Sequence, residues 1–154
     1  MTRYALKDIC TELHSGKGIS SSEISDAGKY PVIGGNGVRG YTTKSNFSGE
    51  CAVIGRQGAA CGNVRFFSGD AYMTEHAVIA RGNSICDSRY LAYALGQMHL
   101  GRLSAQSAQP GLSVKTLGEQ VIELPAHEEQ EAIVDVLGKL DDKIALNSQI
   151  NGYL

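Results

Sequence analysis

Residues 51–58 read Cys51-Ala52-Val53-Ile54-Gly55-Arg56-Gln57-Gly58. The first five form a short apolar run of strand length, and the next three are polar or glycine. That is a β-strand running into a loop. Working outward, the same texture repeats. Tyr30-Pro31-Val32-Ile33 and Gly40-Tyr41-Thr42-Thr43 precede it, and Val64-Arg65-Phe66-Phe67 and Ala77-Val78-Ile79-Ala80 follow. Each run is bounded by turn residues, and most of the 19 glycines lie between Gly28 and Gly82. Glycine at that density marks tight turns, bulges and close backbone approach. The region reads as a glycine-rich, twisted sheet, antiparallel or mixed.

Helical spacing frames the sheet. Leu6, Ile9, Cys10 and Leu13 fall at i, i+3, i+4 and i+7, which predicts a short helix stopped at Gly16. Residues 19–29 are rich in Ser and Gly and read as a loop. Asp87 has the form of an N-cap for a helix running to about Leu100 through Leu91, Ala94, Leu95 and Met98. Ser113 is placed to cap a turn through Leu117. Val121-Ile122-Glu123-Leu124 is a last strand, closed by Pro125. From about Glu128 a long charged helix follows. Glu128, Glu129 and Glu131 in its first turn complement the helix dipole. Ile133, Val136, Leu137, Leu140, Ile144, Ile150 and Leu154 trace its apolar stripe. The predicted class is therefore α+β: a mixed sheet with short helices, then a long C-terminal helix projecting for coiled-coil pairing. Asn147 and Asn151 sit in the seam, where polar residues fix register at some cost in stability. The division is a domain over 1–124 and a helix over 125–154.

The bulk properties narrow the class. The chain has 154 residues, 42% hydrophobic and 19% charged, an ordinary globular profile. No apolar run approaches the ~20 residues needed to span a bilayer. Met1 to Asp8 lacks the apolar core of a signal peptide, so the expected location is cytoplasmic, with no membrane partner. Cys10, Cys51, Cys61 and Cys86 form no C-x-x-C pair, which argues against a zinc site and for free thiols. The net charge of −2 hides a split. Residues 1–118 hold 12 Lys/Arg and 8 Asp/Glu, a net of +4, and residues 119–154 hold 2 Lys and 8 Asp/Glu, a net of −6. Such asymmetry points to two surfaces with different partners.

Catalytic patterns fail. Gly35-Asn36-Gly37-Val38-Arg39-Gly40 matches G-x-G-x-x-G and follows a strand, but Tyr41-Thr42-Thr43 favours another strand over the helix that a dinucleotide site requires. It reads instead as a β-turn presenting Asn36 and Arg39. There is no nucleophile elbow or P-loop, and His14, His76, His99 and His127 are scattered. No catalytic or metal-binding residue is assigned. A nucleotide-binding enzyme using the Gly35–Gly40 loop, or a protein-only interaction module, are the alternatives. What remains are loop residues suited to nucleic acid. Lys17, Arg39, Lys44, Arg56, Arg65 and Lys115 can neutralise phosphates. Asn36, Gln57, Asn63, Gln106 and Gln109 carry amides able to pair with adenine edges. The candidate partner-facing residues of the long helix are Ile133, Leu137, Leu140, Ile144, Asn147 and Asn151.

In order, Gly28-Lys29-Tyr30-Pro31-Val32-Ile33-Gly34-Gly35, Gly40-Tyr41, residues 51–58, Cys61-Gly62-Asn63-Val64, Thr74-Glu75-His76-Ala77-Val78-Ile79, Ala108-Gln109-Pro110-Gly111-Leu112-Ser113 and Leu124-Pro125-Ala126-His127-Glu128-Glu129-Gln130 resemble a known arrangement. It is that of the target recognition domain of the specificity (S) subunit of type I restriction–modification enzymes. The resemblance implies sequence-specific reading of one half of a bipartite double-stranded DNA site, without catalysis. It implies helices that pair, with a second recognition domain or a second copy, and set the spacing of the half-sites. It also implies partner modification (methyltransferase) subunits, which carry S-adenosylmethionine, and a restriction subunit. The chain holds one recognition domain and one helix where the family's subunits hold two, as in a half-length subunit that dimerises or the N-terminal part of a longer chain.

Overall fold

A computed structural model describes residues 1–104 and 111–152. Strand β1 (Thr2–Ala5) opens the chain, a 3-10 turn spans Leu6–Asp8, and β2 (Cys10–Ser15) follows. Then come β3 (Tyr30–Gly34), β4 (Gly37–Thr42), β5 (Phe47–Gly55), β6 (Val64–Met73) and β7 (Ala77–Gly82). Helix α1 (Ser88–Gly96), a 3-10 turn at Leu100–Leu103, the short α2 (Val114–Gly118), β8 (Val121–Leu124) and the long α3 (His127–Gly152) complete it.

Six strands form one sheet in the order β2-β7-β5-β6-β3-β4, antiparallel except where β3 runs parallel to the end of β6. β1 and β8 make a separate antiparallel ribbon, Thr2 opposite Leu124. The loop after β2 returns to the far side of the sheet: the Lys17 amide donates to the Met73 carbonyl at 3.0 Å. The sheet is therefore curled, and β5 lies at its centre, paired on both sides.

That position explains the unbroken apolar run at 51–55. Alternate residues of a strand point to opposite faces, and both faces of β5 are covered. Ala52 and Ile54 pack with Val78, Ala80, Leu91, Leu95 and Leu100 under α1. Cys51 and Val53 pack into the curl with Ile33, Phe47, Met73, Ala77 and Ile79. All four cysteines are free. Burial pushes Cys10, Cys51 and Cys86 up to about 12, so at neutral pH they are protonated thiols and not nucleophiles.

Two expectations fail. Residues 6–13 are not a helix but a 3-10 turn followed by β2. Leu6 and Ile9 share a side because a 3-10 turn has three residues per turn, and Leu13 then alternates inward on a strand held by β7. Pairing with β7 overrides the weak helical period. Helix α1 also stops at Gly96, before Leu100, because His99 takes a left-handed conformation (φ 50°) that breaks it. The expected caps do form. The Asp87 carboxylate accepts from the Arg89 and Tyr90 amides, and the Ser113 hydroxyl accepts from Thr116.

Helix α3 is clasped at its start and bare beyond. The Gln130 side chain is fully buried. Its amide donates to the carbonyls of Ile85 (2.9 Å) and Pro125 (3.0 Å), and its oxygen accepts from the Asp87 amide (2.9 Å). One turn pair further on, the Arg89 guanidinium stacks on the Phe66 ring at 4.9 Å and donates to the Gly138 carbonyl and to Asp142. A β-carbon at Gly138 would lie 3.1 Å from the Arg89 Cζ, which accounts for a glycine inside a helix. Tyr93 donates to Asp141 at 2.5 Å. From Lys139 to Gly152 every residue is exposed. Among the described residues no helix is long and apolar enough to cross a membrane.

Candidate nucleic-acid interface

The glycine-rich motif at 35–40 is a hairpin. Gly34 and Gly37 pair, Gly35-Asn36 forms the tip, and β4 follows directly, so no helix N-terminus faces a phosphate. This tip packs against the end of β5 through two glycines. A β-carbon on Gly35 would lie 3.4 Å from the Gly55 Cα, and one on Gly55 would lie 2.9 Å from the Gly35 carbonyl and 2.0 Å from that of Ala60. The approach thus requires glycine at 55, where backbone atoms stand in the way of a side chain, while Gly35 is tightest against the His76 carbonyl at 3.1 Å. It brings the 35–36 tip beside the 56–63 loop.

Around that junction the expected residues assemble. Asn36, Arg39 and Gln57 line a cavity of about 430 Å³ with His76. Asn63 and Arg65 line a second, of about 690 Å³, on the other side of the 57–63 loop. Arg65 also reaches toward the hairpin, since its Nη1 would lie 3.5 Å from a β-carbon on Gly37. Asn36, Arg39, Gln57, Asn63 and Arg65 are all exposed. Three amides on adjoining loops and two guanidinium groups on the strands that flank them, Arg39 on β4 and Arg65 on β6, can present donors and acceptors to base edges and phosphates.

Other candidates are placed differently. The Arg56 side chain is turned inward, donating from Nε to the Leu112 carbonyl (3.1 Å) and from Nη1 to the Ser15 hydroxyl (3.1 Å). It ties the segment at Gly111–Leu112 to the end of β5, a tie completed by the Leu112 amide on the Arg56 carbonyl and the Gln57–Gly111 bridge. Lys44 pairs with Glu23 at 2.9 Å and lies over the Tyr72 ring, and that hydrogen bond to Glu23 raises its pKa. Lys17 is exposed on the loop after β2, and Lys115 is exposed on α2. Gln106 and Gln109 lie outside the described residues, as do Ala108 and Pro110 of the quoted motif and Leu154 of the stripe. Two residues went unmarked by the sequence reading: His99 and Arg102 line the larger cavity. Gly96 and Gly101, on either side of His99, were the available signal for a turn, masked by the apolar spacing through Met98.

On α3 the partner-facing set splits. Ile133 is partly buried against the body's core, whereas Leu137, Leu140 and Ile144 are exposed at 38, 53 and 62%. Asn147 and Asn151 are exposed. Positions 133, 137, 140, 144, 147 and 151 alternate by four and three, the spacing of a coiled-coil seam. Gln130, Val134 and Gly138 form the different face that meets the body.

The whole is a curled sheet with polar loops at one end and a helical arm at its side. The family model described as the type I restriction modification DNA specificity domain matches residues 1–154, and the chain belongs to that family. It is 38% identical over 134 residues to the type I restriction enzyme EcoprrI specificity subunit of Escherichia coli, covering 84% of this chain and 33% of that one. It is 29% identical to the putative type I specificity subunit S.MpnORF507P of Mycoplasma pneumoniae, covering 98% and 42%. Its fold matches the S subunit of the type I restriction–modification system from M. genitalium, with a TM-score of 0.85 at 20% identity, over 96% of this chain and 41% of that one. The chain thus spans a third to under half the length of these relatives.

Proposed function

We propose that this chain reads one half of a bipartite duplex DNA site for a type I restriction–modification complex. Residues 1–124 are the reading head, and residues 125–154 are the helix that spaces it and pairs with a second helix, from another recognition domain or a second copy. The chain performs no chemistry. Methylation belongs to modification subunits that bind S-adenosylmethionine, cleavage to a restriction subunit, and the assembly works in the cytoplasm. The observation that carries this reading is the convergence of Asn36, Arg39, Gln57, Asn63 and Arg65 on adjoining loops and strand ends, in a chain of the DNA specificity family.

The test uses the assembled complex. Asn36→Ala and Gln57→Ala each remove an amide able to pair with a base edge, an interaction worth about 1–3 kcal/mol of discrimination. Sequencing of methylated sites is expected to show relaxed preference within one half-site only. Unchanged preference in both variants would contradict the reading.

A further inference from the structure

The larger cavity is built differently from the smaller. Among the described residues its side-chain polar groups are Asn63, Arg65, His99 and Arg102, and none of them supplies a carboxylate. Surface arginines usually float, but Arg102 is held from behind. Its Nε donates to the Met98 carbonyl (3.3 Å) and its Nη2 to the Gln120 side-chain oxygen (3.3 Å). Gln120 is fixed in turn: its side-chain amide donates to the Thr116 carbonyl, and its own carbonyl accepts from the Leu6 amide. Arginine has five N–H donors in a planar fork, so the remaining ones are presented with the group's orientation already set. His99 adds a second sign. It is the one non-glycine residue with positive φ among the described residues, although glycine stands nearby at 96 and 101. That left-handed turn sets His99 and Arg102 together on one wall of the cavity.

We infer that Arg65 on one wall and the His99–Arg102 turn on the other form a clamp for a backbone phosphate of duplex DNA, beside the bases met by Asn36 and Gln57. This rests on the DNA-reading function proposed above. Two guanidinium groups and an imidazole without a carboxylate match a phosphodiester oxyanion, which offers acceptors only. Arg65, beside Gly37, brings the clamp next to the hairpin that carries Asn36. The clamp anchors and orients the duplex and carries no sequence information.

The experiment measures binding of the full protein, in its complex, to duplexes with and without its mapped methylation site across a salt series. Arg102→Ala is expected to weaken binding about tenfold on both duplexes alike and to lower the slope of log affinity against log salt by about one. Arg102→Lys should restore the slope while leaving affinity below the parent. His99→Gly should weaken binding on both duplexes while the melting temperature stays level or rises, which separates a binding role from a structural one. Parent-level affinity and slope in Arg102→Ala and His99→Gly would overturn the clamp and leave the DNA-reading proposal standing. Loss confined to the cognate duplex with an unchanged slope would also overturn it, assigning the cavity to a base. Absence of duplex binding by the parent complex would overturn the DNA-reading proposal and the clamp together.

Discussion

Ile54 and Ile144 are the same side chain in two opposite settings. Ile54, on the central strand, is fully buried, with neighbours on β7, α1 and the turns around them; Ile144, on the arm, is 62% exposed. The sheet satisfies its apolar residues within the chain. The helix, held on another face by Gln130 and Arg89, leaves Leu137, Leu140 and Ile144 in a heptad seam that nothing among the described residues covers. The two regions also differ in charge, +4 over residues 1–118 against −6 over 119–154. The first region is stabilised for itself and offers polar loops; the second is stabilised by its attachment and offers an apolar edge. Sequence positions that look equally hydrophobic therefore answer to different constraints.

Matched substitutions sharpen this contrast. Ile54→Ala removes buried methylenes from a site closed on all sides and is expected to cost about 4 kcal/mol in urea unfolding of the chain. A cost below about 1 kcal/mol would mean that the core under α1 is looser than described. Gln130→Ala should come next, at about 3 kcal/mol, because it leaves the Asp87 amide and the Ile85 and Pro125 carbonyls without their partner in a buried place. It should also raise amide hydrogen exchange along the first turns of α3, and unchanged exchange there would break the idea of a clasp. Arg89→Ala, which empties the seat on Gly138 and Phe66, should cost about 1–2 kcal/mol, more than an exposed ion pair gives because the stacking is lost as well. Smallest is Ile144→Ala, expected within about 0.5 kcal/mol of the parent by the same unfolding assay. A large loss there would show that the seam is packed within the chain after all.

Legibility in the sequence followed the same divide. Local signals were readable: the buried run at 51–55, the caps at Asp87 and Ser113, the strand before Pro125, and the start of α3 near Glu128. Features decided by distant partners were not. β1 is Thr-Arg-Tyr-Ala, with no apolar run, and exists as a strand because β8 pairs with it. Residues 6–15 carried a helical period that β7 overrode. Of the site, Asn36, Arg39, Gln57, Asn63 and Arg65 were visible as polar residues in glycine-rich loops, though not the glycine contact at 35 and 55 that joins those loops. Arg56 had the same local signature but turned inward, because the carbonyl of Leu112 lay within its reach. Gln130 read as one more polar residue of a charged helix, since its three partners come from two other segments.

The most direct test of the division of labour is a transplant. Residues 1–124 are exchanged for the matching segment of a specificity subunit that reads a different sequence, α3 is kept, and methylated sites are mapped in the assembled complex. The predicted result is a new sequence in one half of the site, with the other half and the spacing between the halves as before. A methylated sequence that stays the same in both halves would contradict the account.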